Sequence, residues 1–306
     1  MAVQYIKLVQ DILAKGDKKA PAREYMPGTI ELFAQTMKFD LQQGFPLLTT
    51  KKMSITHIAK ELLWFLRGDS SIQYLVENGC NIWNPDTYSY YLRMHGMCSR
   101  ELSYDEWLEK AATDPTMYDS GDEYPSLWRH WRGNEDQILN LLNIIKYTPE
   151  SRYQVVSAWD PEIVSKRSSA LPSCHMLWQT SIRADKYLDL AITQRSCDVA
   201  LGVPYNIASY ALLVHVLAHM TGYEPGELTW TGNSCHIYEN HIDTIREQID
   251  RLPYRTPQIQ VELPEYDHGW TDIDDWFRSL TPDMFKIVEY EHHPVIKYEL
   301  FVGLKK

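Results

Sequence analysis

The chain has 306 residues and a net charge of −11, which argues against general nucleic-acid binding but leaves room for a local cationic pocket around one phosphate. Hydrophobic residues make up 44% and charged ones 23%, ordinary for a soluble globular protein, and no stretch approaches the roughly 20 apolar residues of a membrane span. The cysteines (80, 98, 174, 197 and 235) form no Cys-x-x-Cys pair and are odd in number, which disfavours zinc and a disulfide framework and fits a reducing cytosol.

Met1 to Lys19 lacks a signal peptide's apolar centre, and Val3 to Ala14 has the spacing of an amphipathic helix. Thr29 to Phe39 reads as extended. Ile55 to Leu66 is predicted to be a helix with Ile58, Leu62 and Phe65 on one stripe, ended by Gly68-Asp69. From Pro85 to about Trp131 periodicity fades, so this segment reads as an insertion: a long loop with a short helix near Tyr104 to Ala112. Asp136 to Tyr147 is a further amphipathic helix. Strand signals follow at Tyr153 to Trp159, at His175 to Ile182, and in the alternation of Leu188, Leu190 and Ile192.

Ile207 to Met220 is apolar on nearly every side, which predicts a central buried helix with Asn206 at its start. His215 and His219 lie four apart in it without a third ligand nearby, so they read as core histidines and no metal is expected. His236 to Leu252 reads as another helix, and Gln258 to Leu263 and Ile296 to Val302 as strands. The expectation is one α/β (α+β) domain over 1–306, a mixed sheet around one buried helix.

Four polar runs concentrate the chemistry: Leu171-Pro172-Ser173-Cys174-His175, Gln194-Arg195-Ser196-Cys197-Asp198, Gly202 to Tyr210, and Cys235-His236-Ile237-Tyr238-Glu239-Asn240-His241. A thiol becomes a strong nucleophile as thiolate, and a guanidinium lowers its pKa. Adjacent antiparallel strands would set Arg195 beside Cys174. Glu61, inside Glu61-Leu62-Leu63-Trp64-Phe65, would be a carboxylate in low dielectric with a raised pKa, suited to proton relay. The plainer alternatives are an inert buried cysteine, a Glu61 on the polar side of its helix, an Asn206 that only caps, and a His236 and Tyr238 that merely pack.

These runs resemble the thymidylate synthase family, joined by Gly44-Phe45-Pro46-Leu47-Leu48-Thr49-Thr50-Lys51-Lys52, Ser151-Arg152-Tyr153 and Ser157-Ala158-Trp159. The likeness extends from Gln4-Tyr5 through Pro294-Val295-Ile296-Lys297. It implies a cytosolic homodimer packed sheet against sheet, each site borrowing arginine from its partner. It also implies one-carbon transfer from 5,10-methylenetetrahydrofolate to C5 of a pyrimidine nucleotide, deoxyuridylate first.

Carried over residue by residue, the nucleophile falls on Cys174, the glutamate on Glu61, and the tyrosine involved in removing the C5 proton on Tyr124. Phosphate binding falls on Arg195 and Ser196, with Arg152 given to the partner and Arg23 near the early arginine's place. Asn206 reads the base with Gln194 in the same pocket, and His236 and Tyr238 meet the ribose. Folate-facing positions are Asp198, Trp83, Gly202, Lys51 and Tyr205.

The departures include Tyr153 where a second arginine is usual, Glu24 in the early phosphate loop, Pro85-Asp86 where a second Trp often stands, and a tail running on to Lys306. A looser lid would admit water and yield hydroxymethyl in place of methyl. The methyl product is the leading expectation, and a pyrimidine-nucleotide 5-hydroxymethylase is the alternative.

Overall fold

The computed structural model describes residues 1–21, 26–268 and 272–300. Its first half contains α1 (Ala2–Lys15), β1 (Asp17–Lys19), β2 (Thr29–Asp40), α2 (Ile55–Arg67), α3 (Gln73–Glu77), α4 (Asn84–Met94), α5 (Tyr104–Ala111), α6 (Tyr124–Arg129) and α7 (Gln137–Tyr147). The second contains β3 (Val155–Ser157), α8 (Pro161–Lys166), β4 (His175–Arg183), β5 (Tyr187–Asp198), α9 (Gly202–Thr221), β6 (Glu224–Tyr238), α10 (Ile242–Asp250), β7 (Gln258–Val261), α11 (Ile273–Ser279) and β8 (Phe285–Val288).

Ser54 starts α2 by accepting the His57 amide, and Gly68 ends it in the left-handed conformation at φ 78°, where a side chain would be strained. The main sheet runs β1-β2-β6-β5-β4-β3, antiparallel except for the parallel pair β5 and β6. Parallel neighbours need a crossover, and α9 supplies it. Its buried residues, among them Ile207, Leu212, Leu213, Val216 and Leu217, cover most of its circumference. Burial of each such side chain is worth roughly 1.5–3 kcal/mol. Strands β5 and β6 pack against α9, and α2 and α7 pack against it as well.

Core-facing parity changes midway along the long strands. In β2, Ile30 and Leu32 pack on the core before Ala34, which has φ 56°, and Met37 and Phe39 do so after it. In β5 the set shifts from Leu188, Leu190, Ile192 and Gln194 to Cys197, and in β6 from Leu228 and Trp230 to Cys235 and Ile237. Such irregularities bend strands and re-aim side chains. The bend lies level with Cys174 and Arg195. On the outer face Phe33, Val155 and Leu177 stay exposed.

Several expectations fail here for physical reasons. The 85–131 segment is largely helical: α4, α5, a 3-10 turn at Pro115–Tyr118, and α6. Its buried positions mix Tyr and Trp with Leu92, Ala111 and Leu127, and Asn84, Asp86 and Thr87 are buried too, which blurs the apolar stripe. The predicted helix from His236 starts only at Ile242, because β6 extends through Tyr238. Pro225, Gly226 and Gly232 hid that strand. Ile296 to Leu300 forms no strand, and the rest of that segment lies outside the described residues. No described helix is long and apolar enough to cross a membrane.

Candidate active site

Cys174 is the last residue before β4, half-buried, and its partners come from two directions. From β5, the Arg195 amide donates to the Cys174 carbonyl at 2.8 Å, as adjacent antiparallel strands require. The Arg195 guanidinium donates from Nε to the Ser173 carbonyl at 2.9 Å and from Nη2 to the Pro172 carbonyl at 2.7 Å, and lies 5.3 Å from the Trp159 ring centre. A guanidinium has five N–H donors, so others remain for an anion. From α6, the Tyr124 hydroxyl accepts the Cys174 amide at 2.7 Å and the His175 amide at 3.1 Å.

The thiol does not sit low as Arg195 alone would dictate. Burial pushes it up and outweighs the pull of Arg195, and the carboxyls of Glu123 and Asp86 push the same way when ionised. Tyr124 is raised well above the phenolic range, first by burial and then by Cys174, so it stays a neutral O–H.

Asn206 does not stand at the helix start as the sequence suggested, and the plainer alternative of a cap falls with it; α9 begins at Gly202, which puts Asn206 one turn inside. Gln194, 2% exposed, orients it: Nε2 donates to Asn206 Oδ1 at 3.1 Å, while Gln194 Oε1 accepts the Trp230 indole N–H at 2.8 Å. This chain of bonds fixes which end of the amide is oxygen. His175 also hydrogen-bonds Asn206, and burial drops its pKa to about 4, so it is neutral. Sequence reasoning assigned no task to His175; its place next to Cys174 was the available signal.

Glu61 Oε1 accepts the Trp83 indole N–H at 2.9 Å, and burial raises its pKa against that bond. The expectation of a carboxyl in low dielectric holds. Trp83 lies 6.2 Å from Tyr124, ring centre to ring centre, and so links Glu61 to the α6 side. Tyr210, one turn after Asn206, has a buried hydroxyl close enough to feel the Glu61 charge.

The model described as thymidylate synthase matches residues 3–302. The curated thymidylate synthase of Mycoplasma mobile is 38% identical over 304 residues, covering 98% of this chain and 99% of the relative. That of Phytoplasma mali is 37% identical over 297 residues, with 96% and 97% covered. That of Mycoplasma genitalium is 39% identical over 299 residues, again with 96% and 97% covered. The chain belongs to the thymidylate synthase family.

Around this centre lie the other positions singled out by the thymidylate synthase resemblance. Ser196 follows Arg195 on β5 and pairs with Ser234 on β6. His236 and Tyr238 sit two apart on a strand, not at a helix start, with His236 level with Asp198 and its ring edge-on to Tyr238 at 5.3 Å. Asp198 Oδ1 accepts the Ala200 and Leu201 amides at 3.1 Å each, which starts the turn into α9. Lys51 is 2% exposed and donates to the Ala200 carbonyl at 2.8 Å, with the Tyr205 ring 5.8 Å away. Gly202 has ordinary room for a Cβ, so its backbone does not demand glycine. Arg152 is exposed before β3, level with the far end of β4 and away from its own Cys174. Arg23 and Glu24 lie outside the described residues, as does the tail beyond Leu300.

Proposed function

We propose that the chain is a thymidylate synthase, converting deoxyuridylate to thymidylate with 5,10-methylenetetrahydrofolate. The observation that supports this most is the half-buried Cys174, gripped by Tyr124 on one side and Arg195 on the other. Attack of its thiolate on C6 of uracil forms a C–S bond and moves the ring electrons toward C5 and O4. Asn206, its oxygen already fixed by Gln194, accepts N3–H with the remaining lone pair and donates from Nδ2 to O4. An amide at this position therefore favours uracil over cytosine. The free N–H groups of Arg195, with Ser196, take the 5′ phosphate, and His236 and Tyr238 face the ribose.

Tyr124 remains a phenol, so in removal of the C5 proton it orients the base instead of being it. Glu61, kept protonated more readily by burial, relays protons to O4. The folate fits in part. Asp198 keeps Oδ2 for ring N–H groups and Trp83 offers an apolar face, while the buried Lys51 is committed to Ala200. Bound there, the folate supplies the one-carbon unit and the hydride.

The apolar outer face with Phe33, Val155 and Leu177 supports a sheet-to-sheet homodimer, which would carry Arg152 to the partner's phosphate. Mixing Arg152→Ala with Arg195→Ala subunits should restore activity through hybrid dimers; no recovery would count against sharing. The product decides the reaction. Deoxyuridylate should gain about 14 mass units for a methyl group, whereas a gain of about 30 would replace this reading with hydroxymethylation. Cys174→Ala should abolish turnover yet still bind nucleotide.

A further inference from the structure

Between α8 and β4 the chain crosses residues 168–174 without helix or ladder strand, although Cys174 hangs on this stretch. Residues 120–124 run beside it as a splint. The Asp122 amide donates to the Ser168 carbonyl at 3.0 Å, and the Ala170 amide donates to the Ser120 carbonyl at 2.8 Å. Gly121 has φ 75°, and a Cβ there would collide with the Ser168 carbonyl and the Tyr90 hydroxyl. The splint ends in two successive side chains aimed at the loop. Glu123 Oε1 accepts the Leu171 amide at 2.6 Å, and Tyr124 accepts the Cys174 and His175 amides.

Glu123 is 0% exposed, and among the described residues its Oε2 has no hydrogen-bond partner. A fully buried carboxyl with an oxygen lacking a close partner is costly, and it is kept where an apolar side chain would leave the Leu171 amide without its acceptor. Burial, helped by the charges of Asp86 and Asp122, holds this acid well above the usual carboxylate range. Asp86 and Tyr90 face it from α4, Asp122 and Tyr124 from its own segment, and Cys174 from the loop. Ionised, it would push the Cys174 thiol further up.

We propose that Glu123 is a positioning residue for Cys174: its carboxyl fixes the Leu171 amide, and with Tyr124 it sets where the sulfur stands. This rests on the reading of Cys174 as nucleophile. A displacement of about 1 Å at a reacting group costs up to about a hundredfold in rate. Glu123→Gln keeps the acceptor without a proton to lose, whereas Glu123→Leu removes it and Glu123→Asp withdraws it by one methylene.

The test pairs kcat and KM on deoxyuridylate with the pH profile of Cys174 alkylation by iodoacetamide, read by peptide mass. Glu123→Gln should stay within about threefold of the parent in both readouts. Glu123→Leu and Glu123→Asp should lose about tenfold or more in kcat with KM little changed, and should alter the alkylation profile. Parental behaviour of Glu123→Asp overturns the proposal even if Glu123→Leu does not fold. So does a Glu123→Gln variant as impaired as Glu123→Leu, or one whose thiol profile shifts down, which would make charge the cause. Alkylation needs no substrate, so a parent that fails to turn over deoxyuridylate would sink the functional reading and leave Glu123 to be judged separately.

Discussion

On the β5 side of Cys174, Gln194, Arg195, Ser196 and Asp198 take their places from strand register and from the parity change shared with β2 and β6. On the α6 side, Tyr124 and Glu123 reach across from the helical 84–131 limb and hold the loop through single oxygen atoms. A ladder spreads its geometry over many backbone bonds, so losing one side chain leaves the frame intact. The limb has less reserve: backbone bonds from Ser120 and Asp122 hold residues 168–170, but nearer Cys174 its hold is one side-chain oxygen each from Glu123 and Tyr124. Substitutions on the α6 side should therefore cost more than substitutions on the β5 side.

Tyr124→Phe is the sharpest way to break this comparison. It leaves two amides, those of Cys174 and His175, without their acceptor. Each orphaned donor costs about 1–3 kcal/mol, so urea unfolding should show a loss of roughly 2–6 kcal/mol, with turnover down by about a hundredfold. A variant within 1 kcal/mol of the parent (about half an ordinary orphaned donor) would remove the basis for ranking the two sides.

Lys51→Met tests, through pH, the turn that leaves β5, which Lys51 reaches from the segment before α2. Burial holds the Lys51 ammonium at about 8 against an ordinary 10.5. Between those values the unfolded chain keeps the proton and the folded chain sheds it, so this group makes stability rise with pH across the window and imposes a constant penalty below it. At about 1.4 kcal/mol per pH unit the rise is on the order of 3 kcal/mol. The variant should lack it, so the difference in unfolding free energy between parent and variant should change by that amount from pH 7.5 to 10.5, a window set by the same pair of values. Parallel curves would mean that Lys51 is not held as described.

The smallest effect is expected from Gln194→Leu, which frees the Asn206 amide and strands the Trp230 indole N–H. The ladder should keep Arg195 in place, so the loss should appear as about a tenfold fall in preference for uracil over cytosine nucleotides, with stability down by only about 1–3 kcal/mol, the cost of one stranded donor. Global unfolding of this variant would show that the β5 side depends on single side chains too.

Much of the candidate site was legible beforehand because its residues cluster in short polar runs. Cys174, Arg195 and Asn206 fall within 33 positions along the numbered chain, and Glu61 interrupts an apolar stripe where a carboxyl needs a reason. The major helices α1, α2, α7 and α9 were legible for a similar reason, since their apolar residues recur at helical spacing. Strand β6 was not, because Pro225 and two glycines break the pattern. Nor was α4, whose buried face includes Asn84, Asp86 and Thr87. The link from Gln194 to Asn206, and from Trp83 to Glu61, joins residues whose separation carries no periodic signal.

By itself the sequence determined the kinds of group available and the local frames that carry them, since polar spacing and helical periodicity are properties of neighbours along the chain. Tertiary structure alone decided that burial overrides Arg195 at the Cys174 thiol, that Asn206 lies inside its helix, and that Glu123 is sealed beside the loop that carries Cys174. Each of those outcomes depends on desolvation and on hydrogen bonds between segments far apart in the chain, and both are set only when the layers close.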